Sequence, residues 1–380
     1  MTEIFNQPWK LIPNKIRGAG GREIDKLRGV NPPVDTLDGS EAWIGSVTRA
    51  AEAPAEDPHH GCSEVVLPDG RRMFLFEAIA INPEATLGKK HFSRHGTNLG
   101  MLIKYLDAQE QYMLQAHPTR EFAKKMWNSD FGKEESWYMI GGREDTKEPP
   151  YILLGFKKGI TRAKWEELYN KEDLNGLEQL CHKIPVKAGE TYFVGGGTPH
   201  ALGEGCFCIE VQEPSDITVM PIHQQELKRI FTAKLPDGAD ISSSLIAPFL
   251  VDSKAVYDEK TLGAFVYEGY SYEENLRRRR ILPKIIREGP WGKEYFLIGP
   301  EQTDYFSFTQ ADVQGKVGVR ITGFPQVGIV LAGEGAILFD GGKMSVKKGD
   351  EVFLPYNIPG AAIDGNLSLV FCHPEGVSEK

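Results

Sequence analysis

The chain has 380 residues, 41% hydrophobic and 26% charged, the balance of a folded globular protein, which excludes disordered and collagen-like architectures. At about 150 residues per domain the length predicts two or three domains, each able to bury a core. A net charge of -9, from 44 basic and 53 acidic residues, argues against nucleic-acid or anionic-membrane partners, because phosphate surfaces call for clustered Lys and Arg. The 41 glycines and 24 prolines form about 17% of the chain against an ordinary ~12%. So many turns predict many short strands.

The N-terminus MTEIFNQPWK lacks a signal-peptide core, and no apolar stretch reaches the ~18 residues of a membrane span, so a cytoplasmic location is expected. Short apolar runs bounded by turn signals follow: Met73 to Ile81, Tyr151 to Phe156, Thr191 to Val194 and Gly328 to Ala332. Helical spacing is confined to Glu121 to Trp127, Arg162 to Asn170, Leu174 to Cys181 and Gln224 to Phe231. The basic run Arg277 to Arg280, beside Glu273 and Glu274, reads as a solvated helix face. Cys62, Cys181, Cys206, Cys208 and Cys372 form no CxxC pair and read as buried, inert thiols. The acidic, Pro-rich loop around His59 and His60 carries no functional expectation, and phosphate-cradling and nucleophile-elbow motifs do not occur.

An internal repeat is more informative. In IPVKAGETYFVGGGTPHAL, Gly189 is followed by Gly195, Gly197 and His200; in MSVKKGDEVFLPYNIPGAA, 160 residues on, Gly349 is followed at identical offsets by Pro355, Asn357 and Gly360. Each copy reads as a turn, an alternating strand and a Gly/Pro corner, as a small β-barrel requires. This spacing resembles the second motif of cupins. The resemblance implies a mainly β fold, a tandem cupin of double-stranded jelly-roll β-barrels with helical insertions. The expected domains are 1–225, an N-terminal metal-binding catalytic cupin; 226–290, a helical or irregular connecting segment; and 291–380, a C-terminal cupin without metal ligands, where Gly360 replaces the histidine and His373 is a surface residue.

Period-two alternation puts Gln115 and His117 on one strand face, and Glu135, Trp137 and Met139 on one face of another. A carboxylate that faces a barrel interior needs a metal or a cation. With His200 from the repeat, these residues offer two imidazoles, a carboxylate and an amide oxygen to one divalent ion. LIKYLDA, QAHP, GKEESWYMI, GGTPHALGEG and IEVQEPSD, in that order, are together similar to the class I mannose-6-phosphate isomerases, zinc-dependent tandem-cupin enzymes. GGREIDKL and SEAWIGS look like two further, degraded segments of that family.

The resemblance implies one Zn2+ per chain, or another divalent metal, held by Gln115, His117, Glu135 and His200. It places Glu210 and Lys133 in catalysis, Glu210 as base and Lys133 stabilising charge. Lys104 and Asp216 follow as substrate-binding residues, although Lys104 also reads as an exposed strand-end residue and Asp216 as a turn cap. Two departures stand out: Met220 replaces a family arginine and Met113 a family serine, and a thioether cannot pair with a phosphate. Arg120, His223 and Lys228 are the nearest substitute cations, with Arg120 expected to bind substrate. The implied function is aldose-ketose isomerisation of mannose 6-phosphate and fructose 6-phosphate, or of a related sugar, by proton transfer through an enediol or enediolate. The alternative is a sugar-binding or regulatory cupin that kept the metal and lost catalysis. A metal-dependent oxygenase fits less well, because Gln115 is an unusual ligand for one. The expected partner is a small sugar or sugar phosphate, with no nucleic acid or membrane, on a monomer or homodimer.

Overall fold

β-rich runs, the central ones buried along their length, build three sheets in the computed structural model, which describes residues 3–53, 56–233, 250–251, 253–320 and 322–375. The six-stranded sheet runs in the order Arg280–Ile281, Thr191–Val194, Glu135–Gly142, Cys206–Gln212, Leu102–Asp107, Glu41–Ile44. A four-stranded sheet centred on Tyr151–Lys157 pairs that strand with His200–Leu202, Cys181–Pro185 and Gly269–Tyr270. The third sheet, of ten strands, holds the C-terminal strands, among them Phe306–Gly318, Gln326–Phe339 and Ala362–Pro374. The fold is mainly β, as expected.

Strand pairing crosses the boundary drawn at residue 225. Trp9–Leu11 pairs with Glu351–Leu354 on one side and Glu64–Val66 on the other. Trp9 is fully buried and stacks on Phe353 at 5.2 Å. Residues 234–249, inside the expected connecting segment, lie outside the described residues.

Alternation sorts the faces of the six-stranded sheet. Tyr138 turns outward onto the ten-stranded sheet, where its hydroxyl donates to Gln310 Oε1 at 2.6 Å and its ring meets Phe308 edge-on at 5.9 Å. Trp137 and Met139 turn the other way and join a core with Ile152, Leu154, Val194, Leu202 and Cys208.

Several expectations need correction. Met73 to Ile81 is a short strand, Arg72–Phe74, followed by a helix, Leu75–Ile81. Leu75, Ala78 and Ile79 are buried at helical spacing, and Glu77 accepts the Phe74 amide at 3.0 Å, closing the first turn. QAHP forms isolated bridges, Gln115 to His200 and Ala116 to Val219, not a continuous strand. His373 is 1% exposed on the strand Ala362–Pro374, with neither ring nitrogen hydrogen-bonded. The basic run is only partly a solvated face. Arg277 and Arg278 pair with Glu274, whereas Arg279 turns inward to Asn275 and Thr198. Among the described residues no helix is long and apolar enough to cross a membrane.

Candidate metal centre and active site

The glycine-rich corner brings the two histidines together. Gly197, at φ +77, donates its amide to His117 O at 2.7 Å, in a left-handed conformation that glycine adopts without penalty. Gln115 and His200 exchange backbone hydrogen bonds at 3.0 and 2.8 Å. Both imidazoles are then fixed from behind: His117 Nδ1 lies 2.9 Å from Ile217 O and His200 Nδ1 2.9 Å from Thr198 O. A carbonyl only accepts, so each Nδ1 carries the proton and each Nε2 presents a lone pair.

Those lone pairs converge. The two Nε2 atoms lie 3.2 Å apart; Glu135 places Oε2 3.1 Å from His117 Nε2 and Oε1 3.3 Å from His200 Nε2. Both Glu135 oxygens are buried without a hydrogen-bond partner. The side-chain amide of Gln115 lies 3.4 Å from His200 Nε2, so a half-turn of the amide brings its oxygen to the same point. Three acceptors facing one another in a dry interior require a cation. The donor set fits a divalent metal with nitrogen and oxygen ligands.

Lys133 is the protein cation at this point, its Nζ 2.7 Å from His117 Nε2 and 3.3 Å from Glu135 Oε2. Burial lowers the pKa of Lys133 and takes that of His117 down to about 4. Burial pushes the Glu135 carboxyl the other way, but Lys133 and the two imidazoles outweigh it and hold the group well below its ordinary value. The centre is thus a carboxylate among neutral imidazoles, the protonation state that metal ligation uses.

A second charged layer adjoins the centre. Glu210 accepts from Trp137 Nε1 at 3.0 Å and lies 3.1 Å from Lys104 Nζ, which is 3.6 Å from Glu41. Trp137 in turn packs edge-on against His200, with centroids 5.4 Å apart. Lys104 is 2% exposed, a buried residue and not a strand-end one. Burial opposes its charge, but Glu210 and Glu41 outweigh that and raise its pKa. Asp216 is not a turn cap: it takes a bidentate pair from Arg17 at 2.7 and 2.8 Å and the Ala51 amide at 3.1 Å. Burial of Asp216 is outweighed by Arg17, which holds the carboxyl well below its ordinary range.

The structure therefore gathers Gln115, His117, Lys133, Glu135 and His200 at one point, with Lys104, Glu210 and Asp216 in the adjoining layer. Arg120 is turned elsewhere: its guanidinium pairs with buried Glu213 and covers the Tyr305 ring at 3.4 Å. His223 pairs with Glu172 at 3.0 Å, and Lys228 is exposed on the helix Gln224–Thr232. The residue missed from sequence is Arg17, which also lies 3.1 Å from Glu41 and 2.9 Å from Glu52. Met220 and Met113 occupy one apolar cluster with Trp127, Ile222, Leu227 and Tyr257.

Residues 299–374 match the family model of the mannose-6-phosphate isomerase cupin domain. A mannose-6-phosphate isomerase from Streptococcus mutans is 26% identical over 273 residues, 72% of this chain and 73% of that one. The chain is similar to the mannose-6-phosphate isomerases. The crystal structure of the mannose 6-phosphate isomerase from Bacillus subtilis shares the fold, with a TM-score of 0.71 and 22% identity over 96% of this chain and 99% of that one. A phosphomannose isomerase variant from Salmonella typhimurium matches over 97% of this chain and 99% of that one, with 17% identity and a TM-score of 0.67. The cupin fold and the resemblance expected from the sequence agree with these similarities.

Proposed function

We propose that this isomerase-type enzyme is metal-dependent and interconverts mannose 6-phosphate and fructose 6-phosphate. The reading is carried by the convergence of two imidazole nitrogens and a buried carboxylate, with Lys133 at the same point, beside a buried Lys–Glu pair. Gln115, His117, Glu135 and His200 hold the ion, and zinc suits this donor set. When bound, the metal supplies positive charge that stabilises an oxygen anion in the site.

The chain's own groups move the protons. Glu210, oriented by Trp137 and Lys104, takes the proton from C2 of the open-chain aldose and returns it to C1. Lys133, whose ammonium burial has made more acidic, gives a proton to the C1 oxygen, then recovers one from the C2 hydroxyl as the ketone forms. Lys104 and Asp216 hold the sugar hydroxyls and keep Glu210 in register.

The test is a coupled assay of fructose 6-phosphate formed from mannose 6-phosphate by the zinc-loaded chain. Absence of turnover with zinc, cobalt and manganese alike would overturn the stated substrate. Met220 and Met113 put thioethers where the resembling family has an arginine and a serine, and a thioether cannot pair with a phosphate, so unphosphorylated mannose belongs in the same assay. Turnover of mannose but not of its phosphate moves the substrate and keeps the chemistry.

A further inference from the structure

A second set of metal-type donors lies where the C-terminal end of the chain meets a helix of the N-terminal half. On the helix Lys89–His95, His91 and His95 are four residues apart and share one face. Their rings lie 4.9 Å apart, and both face Glu375, the residue after the strand Ala362–Pro374. His91 is buried, and its Nε2 lies 2.8 Å from Asn98 O. That carbonyl fixes the proton on Nε2 and leaves Nδ1 a lone pair.

Nδ1 has no hydrogen-bond partner, is shut off from solvent and lies 4.0 Å from Glu375 Oε1, which has none either. His95 Nε2 stands 3.6 Å from the same oxygen. Burial lowers the pKa of both imidazoles, which favours the neutral, ligating form. Two buried acceptors aimed at each other are unfavourable unless a cation joins them. Glu375 is also held at φ +61, its amide donating to Tyr305 O at 2.9 Å. A non-glycine residue keeps that backbone only where its surroundings impose it.

We propose that His91 Nδ1, His95 Nε2 and Glu375 Oε1 form a second site for a divalent transition-metal ion, which clips the C-terminal strand to the helix Lys89–His95. Two imidazole nitrogens and one carboxylate oxygen are a zinc-type donor set with a fourth position left for water. Tetrahedral bonds of about 2.0–2.1 Å put donors about 3.3 Å apart, so ion binding must shorten the 3.6 and 4.0 Å separations by about 0.3 and 0.7 Å and draw the two imidazole donors, within 4.8 Å of each other, together. Arg94, 3.1 Å from Oε2, and Lys90, 4.0 Å from it, neutralise the other carboxylate oxygen. They weaken the site for a dication without occupying the donors.

The test is zinc content per full-length chain, measured by mass spectrometry after stripping, reloading with Zn2+ and dialysis. Glu135→Gln disables the first centre, so this variant should retain one equivalent, and adding Glu375→Gln should remove it. A Glu135→Gln chain that binds no zinc, or whose equivalent survives the added Glu375→Gln, overturns the proposal. His95→Asn in the Glu135→Gln background gives the same reading by a second route should Glu375→Gln disturb folding. Glu375→Gln alone should keep one equivalent and turnover within twofold of the parent. Metal counting is independent of the isomerase assay, so a failed substrate leaves this test intact.

Discussion

In the first copy of the repeat the Lys187 amide donates to Glu190 Oε2 at 2.9 Å and Gly189 sits at φ +90; in the second the Lys347 amide donates to Asp350 Oδ2 at 2.9 Å and Gly349 sits at φ +87. Both turns feed buried strands, Thr191–Val194 and Glu351–Leu354. Eleven residues after each glycine the copies part. His200 is buried against Glu135, whereas Gly360 sits at φ +56 with nothing within 4 Å of where a Cβ would stand. The turn is thus a structural device kept in both halves, and the proposed metal site depends on the side chains that arrive at one of them. The buried acids show the same split. Asp216, Glu41 and Glu52 share Arg17 beside the centre, whereas Glu351 has Arg28 alone, at 2.7 Å.

The largest effect should come from making the first copy like the second. His200→Gly is expected to abolish metal retention at that centre and lower kcat/KM by about a thousandfold or more; a variant that kept its zinc and its rate would break the comparison. The reverse change, Gly360→His, should bind no further metal and cost about 1 kcal/mol, since φ +56 disfavours a side chain.

Next in size are the buried cations. Arg17→Met and Arg28→Met should each destabilise by about 3–5 kcal/mol in urea unfolding, because each leaves buried carboxylates uncompensated. The Arg17 loss should be the greater. It takes a cation from three acids and leaves only Lys104 near Glu41, while Glu351, whose pKa burial already raises above its ordinary value, can take up a proton instead. Equal losses would mean that the three-acid layer is not held by Arg17.

Acid should act on the two halves with opposite sign. The folded Asp216 carboxyl titrates well below its ordinary value, so around and below pH ~3.9 the unfolded chain binds protons that the folded chain does not. That stability is present above this range and is lost as pH falls through it. The raised pKa of Glu351 works in the other direction. Asp216→Asn should therefore flatten the fall of Tm between pH 4.5 and 2, and Glu351→Gln should not.

The smallest effects test the shared turn. Asp350→Ala should cost about 1 kcal/mol, the worth of one hydrogen bond to a charged group. Glu190→Ala should cost more, because its Oε2 also accepts from the Tyr192 hydroxyl at 2.9 Å.

What could be read in advance followed local rules. Helix limits at Arg162–Asn170 and the strand at Thr191–Val194 follow periodicity and turn residues. The four donors at the first centre were named together because family spacing fixes where the corner delivers its histidine. Arg17 escaped because its partner Asp216 stands 199 residues away, and no period links them; a cluster of acids in search of a cation was the only signal. His373 was misplaced because a polar residue near the end of a chain reads as exposed, while the sheet carries it inside. Met73 to Ile81 was misread because a run this apolar fits a buried strand as well as a helix, and Glu77 decides between them.

Trp9–Leu11 lies between Glu64–Val66 and Glu351–Leu354. During synthesis Trp9–Leu11 emerges more than 300 residues before its partner Glu351–Leu354. One edge of Trp9–Leu11 must therefore wait, unpaired, until that strand has been made. A ribosome-bound fragment ending near residue 225 exposes that edge and the Trp9 indole to solvent, so nascent chains at that stage are the ones most in need of a chaperone.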